Sequence, residues 1–327
     1  RQEVREGIPA PAADCSCGNP FPHTPARTEL PPPNLEALIA AAERAGLTDF
    51  QPRAGHLAEL LRQAGRSVVR HIMVNTLAGE PIPLAAHVDP DRDLPMLVEM
   101  SNWLAQAIKA RRAWIAVDRA DRRAMTQMRS AVRGTSVRVA SLANKYPQHV
   151  PVLLAASIAD AETPPGGTTL DVGVLVLEWE AVRHLHAAMQ PKQGEPLVMT
   201  HRDVSVSGPA VARPGCYRIP IGTPFEHVLR HVGLRSTARR VIEGGPMTGQ
   251  AVSTLDVVVT KQTSALLVLD RTGERVPSPG PCIHCGWCQE DCPVGLDPQA
   301  LLDCVERGLW DSAARLLPQA CVECGLC

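Results

Sequence analysis

Aromatic side chains are scarce in this 327-residue chain, at 3%, and no run of lysine and arginine carries aromatics between its charges. Formal charge nearly cancels, with 33 basic against 34 acidic residues. Nucleic acid needs a concentrated positive field to hold its phosphates, so it is excluded as an expected partner. Long apolar runs are also missing: "PVLLAASIA" and "SALLVLD" are among the longest. Both fall well short of the ~18 residues that mark a membrane-spanning helix. No direct membrane span is expected, and any membrane association would be peripheral. The opening "RQEVREGIPAPAADCSCGNP" has neither the apolar core nor the small-residue cleavage site of a secretory signal, which points to the cytoplasm. Residues 1–30 read as a disordered Pro-rich tail.

What is present suffices for about two domains, since 45% of residues are apolar. After "PPPN", Leu35, Leu38, Ile39 and Ala42 fall on one helical face, and Gly46 follows as a C-terminal cap. The apolar runs 71–77, 112–118, 135–141 and 171–178 read as strands, separated by helical patterns such as Leu97, Met100, Leu104 and Ile108. Strands alternating with helices predict an α/β layer with a largely parallel sheet over 31–192. His184 and His186 read as ordinary helix residues on different faces. Beyond "QPKQGEP", "DVSVSGPA" and "CYRIPIG" alternate with period two. "TPFEHVLRHVGL" predicts a helix with Thr223 as N-cap, Pro224 first and Glu226 completing a capping box. With "LDVVVTK" and "ALLVLD" as further strands, 196–270 reads as a small β-grasp-like module, and 271–281 as a linker.

Eleven cysteines are unevenly spread, and seven of them lie in "CIHCGWCQEDCP" (282–293) and "CVECGLC" (321–327). Such clustering points to metal ligation in a reducing compartment. The C-x2-C-x2-C-x3-C-P spacing is the ligand pattern of bacterial two-cluster ferredoxins. Cys282, Cys285 and Cys288 would wrap one 4Fe-4S cluster, with Gly286 permitting the tight turn, and Cys292 would join Cys321, Cys324 and Cys327 on the other. Structural zinc also uses CxxC pairs, but two triplets oversupply its four positions. Within residues 1–327 the first cluster stays one ligand short. Either the sequence is truncated before a further Cys-Pro, or the ligand comes from elsewhere. Cys304 reads as a buried structural thiol among Leu301, Leu302 and Val305, and Cys216 as core. Cys15 and Cys17, with His23 nearby, belong to the tail.

The order of these parts resembles the RnfC family, with cobalamin reductases of propanediol microcompartments and the flavin-bearing subunit of respiratory complex I as further kin. The resemblance rests on "KYPQ" (145–148), "PPGGTTLDVGVLV" (164–176), "GPAVARPGCYRIPIGTP" (208–224), "GGPMTG" (244–249), "VVVTKQTSALLVL" (257–269) and the cysteine runs. It implies a 51-kDa-subunit-like α/β domain, an SLBB β-grasp module and a helical two-cluster ferredoxin domain over 282–327. It also implies an electron-transfer subunit of a membrane redox complex, at the inner face of the cell membrane, working with other subunits and a ferredoxin-like or flavin-bearing partner. For a flavin or nucleotide site it points to Glu80, in what remains of an acidic loop, and to Gly244, Gly245 and Gly249. A glycine-rich turn of that kind more often serves packing than phosphate.

The departures bear on FMN. Where the family has a glycine-rich loop that lets amides approach phosphate, this chain reads "AGLTDFQPRAGHL", with Phe50, Gln51, Pro52 and Arg53 in its place. A further family stretch reads "LEWEA", placing Glu178, Trp179 and Glu180 there. No counterpart of the family's N-terminal barrel-sandwich domain precedes Pro31. The expectation is therefore a kept scaffold with an eroded nucleotide site and little FMN. The rival expectations are a flavin-dependent NADH oxidoreductase, such as a cobalamin reductase, and a non-catalytic scaffold.

Overall fold

The computed structural model describes residues 33–50, 55–80, 90–143, 145–190, 198–271, 280 and 282–327. The expected tail, with Cys15, Cys17 and His23, and most of both expected linkers lie outside the described residues.

Asn34 starts the first helix, its side chain accepting the Ala37 amide at 2.8 Å. This helix, α1 (Leu35–Arg44), ends where Gly46 adopts a left-handed φ of +60°. Then follow α2 (Leu57–Arg66), β1 (His71–Asn75), α3 (Pro90–Ile108), β2 (Arg112–Asp118), α4 (Arg122–Ala131), β3 (Val137–Leu142), α5 (Pro151–Ala159), β4 (Val174–Glu178) and α6 (Trp179–Met189). The strands are parallel, in the order β3-β2-β1-β4. Ile72, Val74, Leu175 and Leu177 enter the core beneath α1, α2, α3, α4 and α6. Their neighbours Met73, Val174 and Val176 pack on the other face with Leu154 and Ala155 of α5. Burial on both faces explains why these runs are continuously apolar rather than alternating. The strand order reverses between β1 and β4. In open α/β sheets, ligands bind beyond the carboxyl ends of the strands at such a reversal. Asn75 and Glu178 are register partners there.

The second sheet holds β5 (His201–Ser207), β6 (Gly215–Pro220), β7 (Ala238–Glu243), β8 (Gln250–Ala251) and β9 (Ala265–Asp270), in the order β6-β5-β9-β7-β8. α7 (Phe225–Val232) buries Phe225, Val228, Leu229 and Val232 among Val204, Tyr217, Leu266 and Val268. One helix across a mixed sheet is the β-grasp-like arrangement expected from the sequence.

Two details differ from expectation, for one reason. The N-cap of α7 is Pro224, not Thr223, and no capping box forms. The Thr223 hydroxyl donates to the Pro220 carbonyl instead, and Glu226 pairs with Arg230. Residues 255–261 are not a strand, because their backbone serves the start of α7. The amides of Phe225 and Glu226 donate to the carbonyls of Val257 and Leu255 at 2.8 and 3.1 Å. Carbonyls that cap a helix are not free to join a ladder. The strand beside β9 is β7, whose mixed sequence "ARRVIE" lacks clean alternation.

Three short helices complete the chain: α8 (Trp287–Glu290), α9 (Pro298–Glu306) and α10 (Trp310–Arg315). Asp297 caps α9 by accepting the Ala300 amide at 2.9 Å, and Pro298 follows it. Cys304 is not the buried thiol expected from its apolar neighbours. It is half-buried, and Leu302 and Val305 beside it are about half exposed, at 50% and 47%. Cys216 is buried in β6 as expected.

Candidate functional site

An open cleft of 1520 Å³ lies beyond the carboxyl end of β4, walled by Asp49, Glu178, the turn 164–167, the Gly244–Gln250 loop and residues 319–324. Its floor is acidic. The Glu178 amide donates to Asp49 at 3.4 Å, and Asn75 Nδ2 donates to Glu178 Oε1 at 2.9 Å and to the His149 carbonyl at 3.1 Å. Burial pushes Glu178 up to about 8, opposed by the Asn75 hydrogen bond and reinforced by the charges of Asp49 and Glu180. Burial likewise lifts Asp49 to about 7. Burial holds the His149 ring below its ordinary range.

Behind this floor, α6 meets β5. Arg202 grips Glu180 with two parallel bonds of 2.8 and 3.1 Å and donates through Nε to the Thr263 carbonyl. Phe50 lies against the same guanidinium, 4.4 Å from its centre to the ring centroid, and meets His184 edge-on at 5.3 Å. His184 and His186 are both buried and serve packing, His186 through Glu99 at 3.2 Å. Residues 51–54, including Arg53, lie outside the described residues.

The residues expected at a flavin or nucleotide site come together, but they hold one another. The Glu80 carboxylate accepts the Met247 amide at 3.1 Å, the Thr248 amide at 3.0 Å and the Thr248 hydroxyl at 2.6 Å. A Cβ on Gly245 would fall 2.1 Å from the Glu80 carboxyl carbon, so that glycine makes room for Glu80. Gly249 is forced by its neighbours as well, since a Cβ there would lie 2.3 Å from the Gly245 carbonyl oxygen. Gly244 allows the turn at φ +100°. The described residues of the cleft therefore do not fit a phosphate-bearing flavin. Six carboxylate residues line it, namely Asp49, Glu59, Glu162, Glu178, Glu243 and Glu323, and among the described residues it has no lysine or arginine.

The two cysteine runs fold into one repeated loop. His284 and Gly286 have φ of +54° and +81°, and their counterparts Glu323 and Gly325 have +54° and +72°. The His284 amide points at Cys282 Sγ at 3.3 Å and the Glu323 amide at Cys321 Sγ at 3.4 Å. Leu296 donates to Cys292 Sγ at 3.3 Å. Among the described residues no three His, Cys, Asp or Glu side chains converge on one metal position. None of the seven cysteines is in a disulfide. The donor set still fits an iron–sulfur cluster, because left-handed turns that aim amides at sulfur stabilise thiolate charge. The sequence did not single out Asp49 or Tyr146. Asp49 sits in "LTDF" with no motif around it, whereas Tyr146 lay in plain sight within "KYPQ".

Comparison with known proteins agrees with this layout. Residues 56–187 match the family model of the Nuo51 FMN-binding domain, and residues 204–251 match the SLBB domain. The C component of the Na(+)-translocating ferredoxin:NAD(+) oxidoreductase complex of Acetobacterium woodii is 35% identical over 174 residues, covering 53% of this chain and 38% of that protein. The C component of the ion-translocating oxidoreductase complex of Cronobacter sakazakii is 30% identical over 273 residues, 81% of this chain and 34% of that one. The Rhodobacter capsulatus counterpart is 31% identical over 216 residues, covering 65% and 41%. This chain thus spans between a third and a half of the length of these relatives. A chain of an NAD+-reducing [NiFe]-hydrogenase in its H2-reduced state shares the fold, with a TM-score of 0.57 at 19% identity over 72% of this chain and 47% of that one. With a Nuo51-type α/β domain feeding directly into an SLBB domain, the chain is similar over most of its described length to the C subunits of ion-translocating oxidoreductase complexes.

Proposed function

We propose that the protein is an electron-transfer subunit of an ion-translocating redox complex, relaying electrons through two 4Fe-4S clusters. Cys282, Cys285 and Cys288 would hold one, and Cys292, Cys321, Cys324 and Cys327 the other. The observation that carries this reading is the repeated loop, with the same pair of left-handed residues and the same amide-to-sulfur hydrogen bond in both cysteine runs. When bound, such clusters take up and release single electrons at potentials tuned by hydrogen bonds to sulfur and by solvent exposure. The chain's own part is to orient the thiolates, offset their charge with amides and limit water around them. Cys324 is only 9% exposed, whereas Cys282 and Cys285 are open to solvent.

No helix among the described residues is long and apolar enough to cross a membrane. Attachment to the inner face of the membrane would run through other subunits of the complex, with a ferredoxin-like or flavin-bearing protein as electron partner. The relatives' names place them in such complexes, which supports this part of the reading. The division into 31–192, 196–270 and 282–327 belongs to the same proposal.

Anaerobic reconstitution with iron and sulfide, followed by iron and acid-labile sulfide assays, tests it. Cys324→Ala is expected to lose at least half of the bound iron, because it removes one ligand of four from the cluster whose four cysteines are all present, whereas the other is one ligand short within residues 1–327. Cys304→Ala is expected to lose none. Equal loss in both variants, or zinc in place of iron, would overturn the assignment.

A further inference from the structure

The two cysteine loops share a sequence pattern and a backbone, yet their surroundings differ. In the first loop, a Cβ added at Gly286 would meet nothing within 4 Å, and Cys285 is exposed. In the second, a Cβ added at Gly325 would lie 2.6 Å from the Met247 carbonyl oxygen, and Cys324 is buried. Two contacts account for the difference. The Tyr146 hydroxyl donates to the Cys324 carbonyl at 2.5 Å. Met247, whose carbonyl Gly325 meets, is fixed by the Glu80 carboxylate through its own amide and through the amide and hydroxyl of Thr248. Both clasping residues are braced in turn. Tyr146 stacks obliquely on His149 at 5.5 Å, and Gly79, next to Glu80, packs so close to that ring that a Cβ would lie 2.9 Å from it.

We propose that Glu80 and Tyr146 are positioning residues, a clasp that seats the second cysteine loop on the rim of the cleft. One jaw comes from the loop after β1 and works through Met247 of the second domain, and the other comes from the segment before α5. Through that clasp Cys324 is the shielded cysteine of the second loop, while Cys321 and Cys327 stay exposed; in the first loop Cys282 and Cys285 are exposed, and Cys285, the counterpart of Cys324, has no such cover. Glu80 then acts as an interdomain fastener rather than as a nucleotide ligand. Its carboxylate already accepts three hydrogen bonds from the Met247–Thr248 turn, and breaking them would leave that turn's amides without partners.

The clasp itself concerns the protein alone, whereas its consequence for a cluster rests on the function proposed above, so the test has two arms. In the first, the metal-free reduced chain is pulsed with iodoacetamide and each cysteine is followed by mass spectrometry. Tyr146→Phe and Glu80→Ala are expected to raise the labelling rate of Cys324 about fivefold, the factor that loss of one ordinary hydrogen bond gives, and to leave Cys285 unchanged. An unchanged Cys324 rate in a folded variant would overturn the clasp. Equal acceleration at both cysteines would do so too, because it reports general loosening. Tyr146→Phe removes only the hydroxyl, so it keeps the test decisive if Glu80→Ala does not fold. In the second arm, the reconstituted full chain is titrated electrochemically and followed by EPR. Both variants should keep wild-type iron content while one of two redox transitions shifts and the other stays. Two unshifted transitions would overturn the link from clasp to cluster. Absence of iron from the wild type would overturn the cluster reading and leave the labelling result standing.

Discussion

Glu178 sets the character of the cleft floor. With burial lifting it to about 8 and Asp49 to about 7, both carboxyls hold protons in the folded chain that they would lose when unfolded, from about pH 4 upward. The sign follows directly. Folding binds these protons, so the two groups cost nothing well below pH 4. They cost progressively more as pH rises toward 7 and 8, and a constant amount above that. Glu178→Gln removes one of the two penalties and keeps an acceptor for Asn75. The variant should match wild type near pH 4 and gain on it steadily up to pH 8. The final difference should be several kcal/mol, on the order of ten degrees in Tm, at about 1.4 kcal/mol for each pH unit between the ordinary carboxyl range and about 8. Thermal melts across pH 4–9 would measure it, and a gap independent of pH would show that Glu178 titrates in the folded chain as it does in the unfolded one.

At the scale of elements, α6 and β5 are joined by the buried Glu180–Arg202 pair, which ties the first domain to the second. Burial pushes the Glu180 carboxyl up, but the charge and hydrogen bonds of Arg202, with Arg183 nearby, hold it below its usual range overall. Removing one partner strands the other, so Arg202→Met should destabilise the fold by roughly 3–5 kcal/mol, whereas adding Glu180→Leu should restore much of that. Chemical denaturation of the single and double variants would check it, and additive losses would show that the pair is not coupled. Nothing in the sequence tied residue 180 to residue 202, because the contact joins two domains and neither side chain repeats in a pattern. Buried parallel strands were legible, since continuous apolar runs such as "HIMVN" and "VLVLE" have few other uses. The β7 strand was not, because Arg239 and Arg240 face solvent at an exposed stretch and mask the alternation. Residues 255–261 misled in the opposite sense: they are apolar and β-branched, but their carbonyls were already committed to α7. The repeated backbone of the cysteine loops was legible because the C-x2-C-x2-C spacing itself repeats, whereas the clasp on the second loop depends on Tyr146 and Glu80, far from it in sequence.

At the scale of the whole molecule, family and residues pull apart over the flavin. Residues 56–187 match a Nuo51 FMN-binding domain, yet the described cleft lining has six carboxylate residues, no lysine and no arginine. Even with Asp49 and Glu178 protonated, the described wall offers a phosphate dianion no cation, and the glycine-rich turn that could aim amides at it is filled by Glu80. An ordinary FMN site gains affinity from the phosphate. This one should not, so riboflavin is expected to bind the full chain at least as well as FMN, and the purified protein is expected to carry far less than one FMN per chain. NADH, with its pyrophosphate, should then fail to bleach reconstituted clusters unaided, leaving a protein partner as the electron donor. Flavin extraction after anaerobic purification, fluorescence titrations with both flavins and an NADH titration followed by absorbance would decide. Stoichiometric FMN held more tightly than riboflavin, with clusters reduced by NADH, would make the chain an NADH oxidoreductase in its own right. It would also place a cation from outside the described residues, such as Arg53, on the phosphate.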